Sequence, residues 1–269
     1  MSQTFTLILA TDSIAADAKQ LGVSPAQLQD ISIQVDASVV QKNALPYSDN
    51  QSMALQLWLS YQIQLPSSIL AEQLCWPAWR EDQVGFADYL WEQTCLECFI
   101  SSDSANSIEN DNSYIEISAS PSGQYALYHF QSYRNPAKLP PMPLIQASTG
   151  KRAHIIWPAT QSKPSKSQRY DGNYNYHCRL GFSLDQLPST SSTKSRLENL
   201  THDLNGGLDS GLNISNTNGH HNAIKLIHPC LILWFGDTAL YFAPAHASPP
   251  DFHQRCHWSH FDYQAAAAT

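Results

Sequence analysis

Two carboxylates, Glu97 and Glu116, stand inside otherwise apolar-periodic runs: LWEQTCLECFI from Leu90, and YIEISASPSGQYALYHFQSYR from Tyr114. A carboxylate among hydrophobes has to be paired, hydrogen-bonded or put to use. Alternate side chains of a strand face opposite ways. The first run then divides into a core face of Leu90, Thr94, Leu96, Cys98 and Ile100 and a mixed face of Trp91, Gln93, Cys95, Glu97 and Phe99. In the second, Pro121-Ser122-Gly123 reads as a three-residue hairpin loop with Gly123 in the left-handed position, placing Glu116 opposite Tyr128 and Ile117 opposite Leu127. Tyr114, Glu116, Tyr128 and Phe130 share one face; Ile115, Ile117, Tyr125 and Leu127 share the other.

Carboxylates beside aromatic rings on a sheet face support three chemistries. They can act as general acid and base on a glycosidic bond. They can accept hydrogen bonds from sugar hydroxyls while Trp91 or a tyrosine stacks on the ring. They can pair with Arg134 or Arg80 in a structural network. Of these, the structural network is the commonest fate of such carboxylates, which leaves a structural or interaction protein without a small-molecule ligand as one reading; the other is a binding face of Trp91, Glu97, Tyr114, Glu116, Tyr128 and Arg134, with no catalytic assignment.

Metal chemistry is weakly signalled. Cys95-x-x-Cys98 on a strand sends its two sulfurs to opposite faces, which suits buried thiols and not a shared metal or disulfide. Near the C-terminal end His246, Asp251, His253, His257 and His260 cluster in sequence. Were that segment a helical turn with Asp251 as N-cap, His253 and His257 would share a face suited to zinc; the simpler reading is a loop closing one end of the fold. No carboxylate-rich calcium loop is present. The only methionines are Met1, Met53 and Met142, none of them placed beside His129 as haem would require. No cofactor is expected.

The elements that must position these residues are strands. Phe5 to Leu9, Ile31 to Val35, Leu55 to Ile63, Ala153 to Trp157, Tyr174 to Phe182, Ile224 to Phe235 and Ala239 to Phe242 carry strand patterns, the last two joined by a turn at Gly236-Asp237. Ser24-Pro25 before AQLQD suits one helical turn. From Leu65 to Tyr89 the pattern breaks into loop, with Trp76 and Trp79 as a cover or a ligand platform. Residues 183–222 are rich in Ser, Thr, Asn and Gly and read as a flexible insertion with a short helix near Lys194 to Leu200. Many short strands and almost no helical period argue for an all-β, two-sheet antiparallel sandwich formed by one domain spanning 1–269.

Lys and Arg total 15 against 23 Asp and Glu, a net charge of −8, so no basic surplus is available for nucleic acid. The most apolar stretch, Leu226 to Phe235, falls short of the ~20 residues that span a bilayer. The first residues lack a basic region and a cleavage site, so a cytoplasmic location with reduced thiols is expected.

Three segments in order, LWEQTCLECF, YIEISASPSGQYALYHFQSYR and AHASPPDFH, resemble the DOMON-like proteins related to family 9 carbohydrate-binding modules. The resemblance runs from Ile31 to about Phe261 and excludes the insertion. It departs from the family at Tyr125 and at Phe242-Ala243. It implies a β-sandwich binding module without catalysis and adds Asp251 and His253 to the ligand-binding candidates. It also implies a carbohydrate or sugar nucleotide as ligand and, since some relatives accompany a reductase of peptidoglycan precursor synthesis, enzymes of cell-wall precursors as partners.

Overall fold

The computed structural model describes residues 2–42, 54–102, 112–158, 169–170, 173–188 and 224–266. The alternating runs become β1 (Gln3–Leu9), β2 (Ser32–Lys42), β3 (Ala54–Leu65), β4 (Gly85–Phe86), β5 (Cys95–Ser101), β6 (Tyr114–Ala119), β7 (Gln124–Phe130), β8 (Ile155–Ile156), β9 (Arg169–Tyr170), β10 (Asn173–Ser183), β11 (Leu226–Phe235), β12 (Thr238–Ala243) and β13 (Ser259–His260). Their hydrogen-bonded order is β4-β7-β6-β5-β11-β12-β1-β2-β3-β10-β8, with β13 beside β11 and β9 beside β10. All pairs are antiparallel except β4 with β7.

This is one large, curled, mixed sheet, a half-barrel, where the sequence pattern suggested two separate sheets. The reason lies in β1. Gln3 to Leu7 pair with β2, while Ile8 and Leu9 pair with β12, so one strand belongs to both halves and the ladder runs through it.

The hollow of the curl holds the main core. Ile33 and Val35 of β2, Leu57 and Tyr61 of β3 and Phe182 of β10 meet Leu96 and Cys98 of β5, Ile117 of β6 and Leu231 of β11 there. Each such side chain contributes about 1.5–3 kcal/mol by leaving water. Tyr61 is fully buried and its hydroxyl donates to the Glu97 carbonyl at 2.6 Å, tying the two halves together across the core. Side chains of β5, β6, β7 and β11 that point the other way build a second, outer cluster with Phe99, Tyr114, Tyr128, Phe130, Phe252 and Trp258. That outer face carries the site.

The hairpin register is as the turn demands: Glu116 lies opposite Tyr128 and Ile117 opposite Leu127. Gly123 has φ 107°, and a Cβ there would stand 3.0 Å from Val84 Cγ2 and 3.1 Å from Trp79. Only glycine meets both demands. Cys95 and Cys98 do face opposite ways, one in each cluster. Cys178 and Cys230 are buried too, whereas Cys75 and Cys256 are exposed, so the expectation of buried thiols holds for four.

Helix α2 (Pro25–Gln29) has the expected Ser24 cap, as a reciprocal capping box with Gln27. Three helices among the described residues were not anticipated: α1 (Ile14–Leu21), closed by Gly22 in the left-handed conformation; α3 (Ser68–Gln73), where Ser67 accepts the Leu70 N–H; and a single turn at Tyr263–Ala266. The strand anticipated from Leu90 begins at Cys95. Tyr89 adopts φ 61° and Leu90–Glu92 form a 3-10 turn, which breaks the extended run. Trp76 packs on Tyr176 and Trp79 on Trp157, so both cover the fold. Of the region 183–222, residues 183–188 end β10 and make a 3-10 turn; the remainder, with the helix expected near Lys194 to Leu200, lies outside the described residues. Among the described residues, no helix is long and apolar enough to cross a membrane.

Candidate functional site

The floor of the site is set by sheet pairing. Glu97 on β5 is registered with Ser118, and Glu116 on β6 with Phe99, so the two glutamates sit diagonally on neighbouring strands and on one face. Both are 4% exposed. Burial pushes the Glu97 carboxyl well up, and repulsion from Glu116 adds to it, while the Cys95 thiol and the Arg134 charge oppose this in part. Glu116 is also pushed up by burial, against the Ser118 hydroxyl, which donates to it at 3.0 Å, and Arg134. Neither forms an ion pair with Lys or Arg among the described residues.

A second layer comes from the loop 250–253. Asp251 accepts the backbone N–H of His253 at 3.0 Å, an Asx-type turn that lays the imidazole against β6. His253 Nδ1 lies 2.8 Å from the Tyr114 hydroxyl and Nε2 lies 3.7 Å from Glu116. Because the Tyr114 oxygen already accepts the Arg134 N–H at 3.1 Å, the network assigns its proton to His253 Nδ1 and leaves Nε2–H facing Glu116. Burial, with the nearby Arg134 charge, lowers the imidazole to about 3, so His253 is neutral.

At the rim, Arg134 has φ 48°, a strained conformation for a residue with a side chain. Its backbone is held by Tyr114 and its Nη2 donates to Asp251 Oδ1 at 2.9 Å. Burial raises the Asp251 carboxyl, but hydrogen bonds from Tyr133 and Arg134 outweigh it and hold the group below its ordinary value.

These groups surround a cavity of about 410 Å³, within the range of small-molecule sites. Six of the eight residues singled out from the sequence line it: Trp91, Glu97, Glu116, Arg134, Asp251 and His253. Trp91 reaches it from the 3-10 turn and not by strand alternation. Tyr114 lies behind His253, stacked on Phe130 with ring centroids 4.9 Å apart. Tyr128 is also support; it is fully buried, and its hydroxyl donates to Asp88 at 2.8 Å.

The far wall escaped the sequence reading. It consists of Pro136, Lys138, Leu139 and Pro141 on the strap after β7, Ile232 and Tyr241 on β11 and β12, and Phe252. The proline-rich strap was visible as an extended crossing, but its place over the outer face depends on long-range packing. Among the described residues no group of three or more His, Cys, Asp or Glu could hold a metal ion. The segment at His253 and His257 is a 3-10 turn, Arg255–His257, and not the α-helical turn considered for zinc.

Compared with known proteins, the chain matches no family model, no curated protein and no solved structure. Chemically, the cavity offers aromatic rings in its walls, two carboxyls that can donate or accept, and a guanidinium at its mouth.

Proposed function

We propose that this chain is a non-catalytic binding protein for a carbohydrate or a sugar-containing small molecule. The observation that carries this reading is the shared cavity: Trp91, Phe99, Tyr241 and Phe252 face the same space as Glu97, Glu116 and Arg134. A sugar has apolar ring faces for the aromatic walls and hydroxyls for the carboxyls and guanidinium. The side-by-side placement of the glutamates on one sheet face favours binding over hydrolysis, since glycosidases set their two carboxyls on either side of the scissile bond across a cleft.

The DOMON-like relationship belongs to the same proposal, with the curled sheet taken as a sandwich whose two halves are joined along β1. Its support is the core shared between β2-β3-β10 and β5-β6-β11. A cytoplasmic location and a partnership with enzymes of cell-wall precursors extend the proposal.

Calorimetric titration of the folded protein with a panel of monosaccharides, disaccharides and sugar nucleotides tests it. Binding of at least one class, weakened about tenfold or more by Trp91→Ala, is expected. A panel that gives no heat with any sugar refutes it.

A further inference from the structure

The two floor carboxyls pose a chemical problem that the protein itself leaves open. Glu97 and Glu116 are each 4% exposed, both open on the cavity, and no Lys or Arg pairs with either among the described residues. Buried carboxyls are ordinarily matched by a cation or a set of hydrogen-bond donors. Among the described residues Glu116 has the Ser118 hydroxyl and a distant His253 N–H, and Glu97 has the weak thiol of Cys95. Arg134 lines the same cavity, yet its guanidinium is engaged by Asp251 at the mouth.

The walls around the carboxyls are rings, with Trp91, Phe99 and Tyr241 lining the same space. Aromatic faces present negative potential and favour a cation that has lost part of its water. Carboxyls and aromatic faces together therefore select positive charge, and the net charge of −8 draws cations toward the protein.

We propose that the sugar bound here is an amino sugar, with its ammonium group seated against Glu97 and Glu116 beneath the rings of Trp91, Phe99 and Tyr241. This rests on the carbohydrate reading and narrows it to one class. The ammonium donates its hydrogen bonds to the carboxyls and supplies the missing cation, while the hydroxyls on the far side of the sugar reach Arg134. Arrival of the cation favours the ionised carboxyls, so binding releases protons to solvent. The other titratable groups around the pair include Cys95, Cys230, Tyr61, Tyr114 and Tyr128 on the sheet, Tyr241 on β12, Arg134 and Lys138 on the strap, and Asp251 and His253 on the facing loop. The cysteines and tyrosines are held protonated by burial, and His253 is held neutral, which leaves the glutamates as the source of the protons.

The test is titration calorimetry with glucosamine, galactosamine and mannosamine, their neutral parent hexoses and their N-acetyl derivatives, in two buffers of different ionisation enthalpy. An amine is expected to improve affinity about tenfold or more over its neutral parent, with about one proton released per ligand. Affinity should rise from about pH 5 to about pH 7 as the carboxyls become easier to ionise. Glu97→Gln and Glu116→Gln should each abolish the preference for the amine and the proton release, and thermal unfolding of both variants checks that they are folded. Equal affinity for amine and neutral parent overturns the inference and leaves the carbohydrate reading standing. Absence of binding by every sugar, charged or neutral, overturns both.

Discussion

Removing the single hydroxyl of Tyr114 should cost more than its size suggests. Tyr114 is 2% exposed, and its oxygen joins two parts of the site, accepting from the Arg134 N–H at 3.1 Å and bonding His253 Nδ1 at 2.8 Å. Tyr114→Phe leaves the ring stacked on Phe130, so the apolar burial survives. What is lost is two hydrogen bonds worth about 1 kcal/mol each, with a further ~1–3 kcal/mol if the buried imidazole nitrogen finds no other partner. Against this, the Arg134 backbone at φ 48°, which costs about 1–2 kcal/mol to hold, loses one of its restraints and relaxes, returning about 1 kcal/mol. A total of about 2–4 kcal/mol follows, measurable as a shift of the urea midpoint at neutral pH without a change in slope. Arg134→Gly supplies a second background, since glycine adopts this φ freely; it also takes the guanidinium from Asp251, a side chain 11% exposed, so the quantity compared is the increment that Tyr114→Phe adds. In that background Tyr114→Phe should cost about 1 kcal/mol more, because glycine holds no strain to be released when the restraint goes. A loss below about 0.5 kcal/mol in the native background, or an identical loss in both backgrounds, would refute the coupling.

Two further outcomes follow from the structure. His253 and His228 are lowered by burial from the ordinary 6.5 to about 3, so the unfolded chain binds more protons below 6.5 and stability falls with pH there. Glu97 and Glu116 are raised from 4.5, so their part of the stability is complete below 4.5 and is lost as pH rises through their folded values. The two limbs offset each other between 4.5 and 6.5, and urea midpoints should form a plateau there. Glu97→Gln should flatten the alkaline limb; midpoints that climb steadily above pH 6.5 would contradict the assignment. On the opposite half of the sheet, a Cβ at Gly181 would stand 2.9 Å from Cδ2 and Cε2 of Trp58, so Gly181→Ala should cost about 1–3 kcal/mol in thermal or urea unfolding. An unchanged midpoint would mean that the indole moves aside freely.

Much of the floor of the site was legible because period-two alternation and a Pro-Ser-Gly turn are local signals. They placed Glu97 with Phe99 and Glu116 with Tyr128 before any coordinates. Trp91 was found for the wrong reason, since left-handed Tyr89 ends the strand pattern and nothing in the residue type of Tyr89 announces it. Helix α1 carried its signals in Ser13 and Gly22, but eight residues with little apolar periodicity are easily passed over. Tyr241, Ile232 and Leu139 could not be grouped from spacing alone. Leu139 lies more than ninety residues from Ile232 and Tyr241 and meets them only because β11 inserts between β5 and β12 while the strap folds back over the outer face.

The strand shared by both halves sets an order of assembly. β1 completes its pairing through Ile8 and Leu9 with Phe242 and Ala243, so its ladder closes over more than two hundred residues of intervening chain. β5 likewise waits for β11, well over a hundred residues later, to cover its free edge. Local pairs such as β2-β3, β5-β6 and β6-β7 close over about a dozen residues or fewer and can form early; the seam and the far wall of the cavity belong to the slow, high-separation contacts. During synthesis, β5 with its buried Glu97 carboxyl therefore keeps one open edge until β11 emerges.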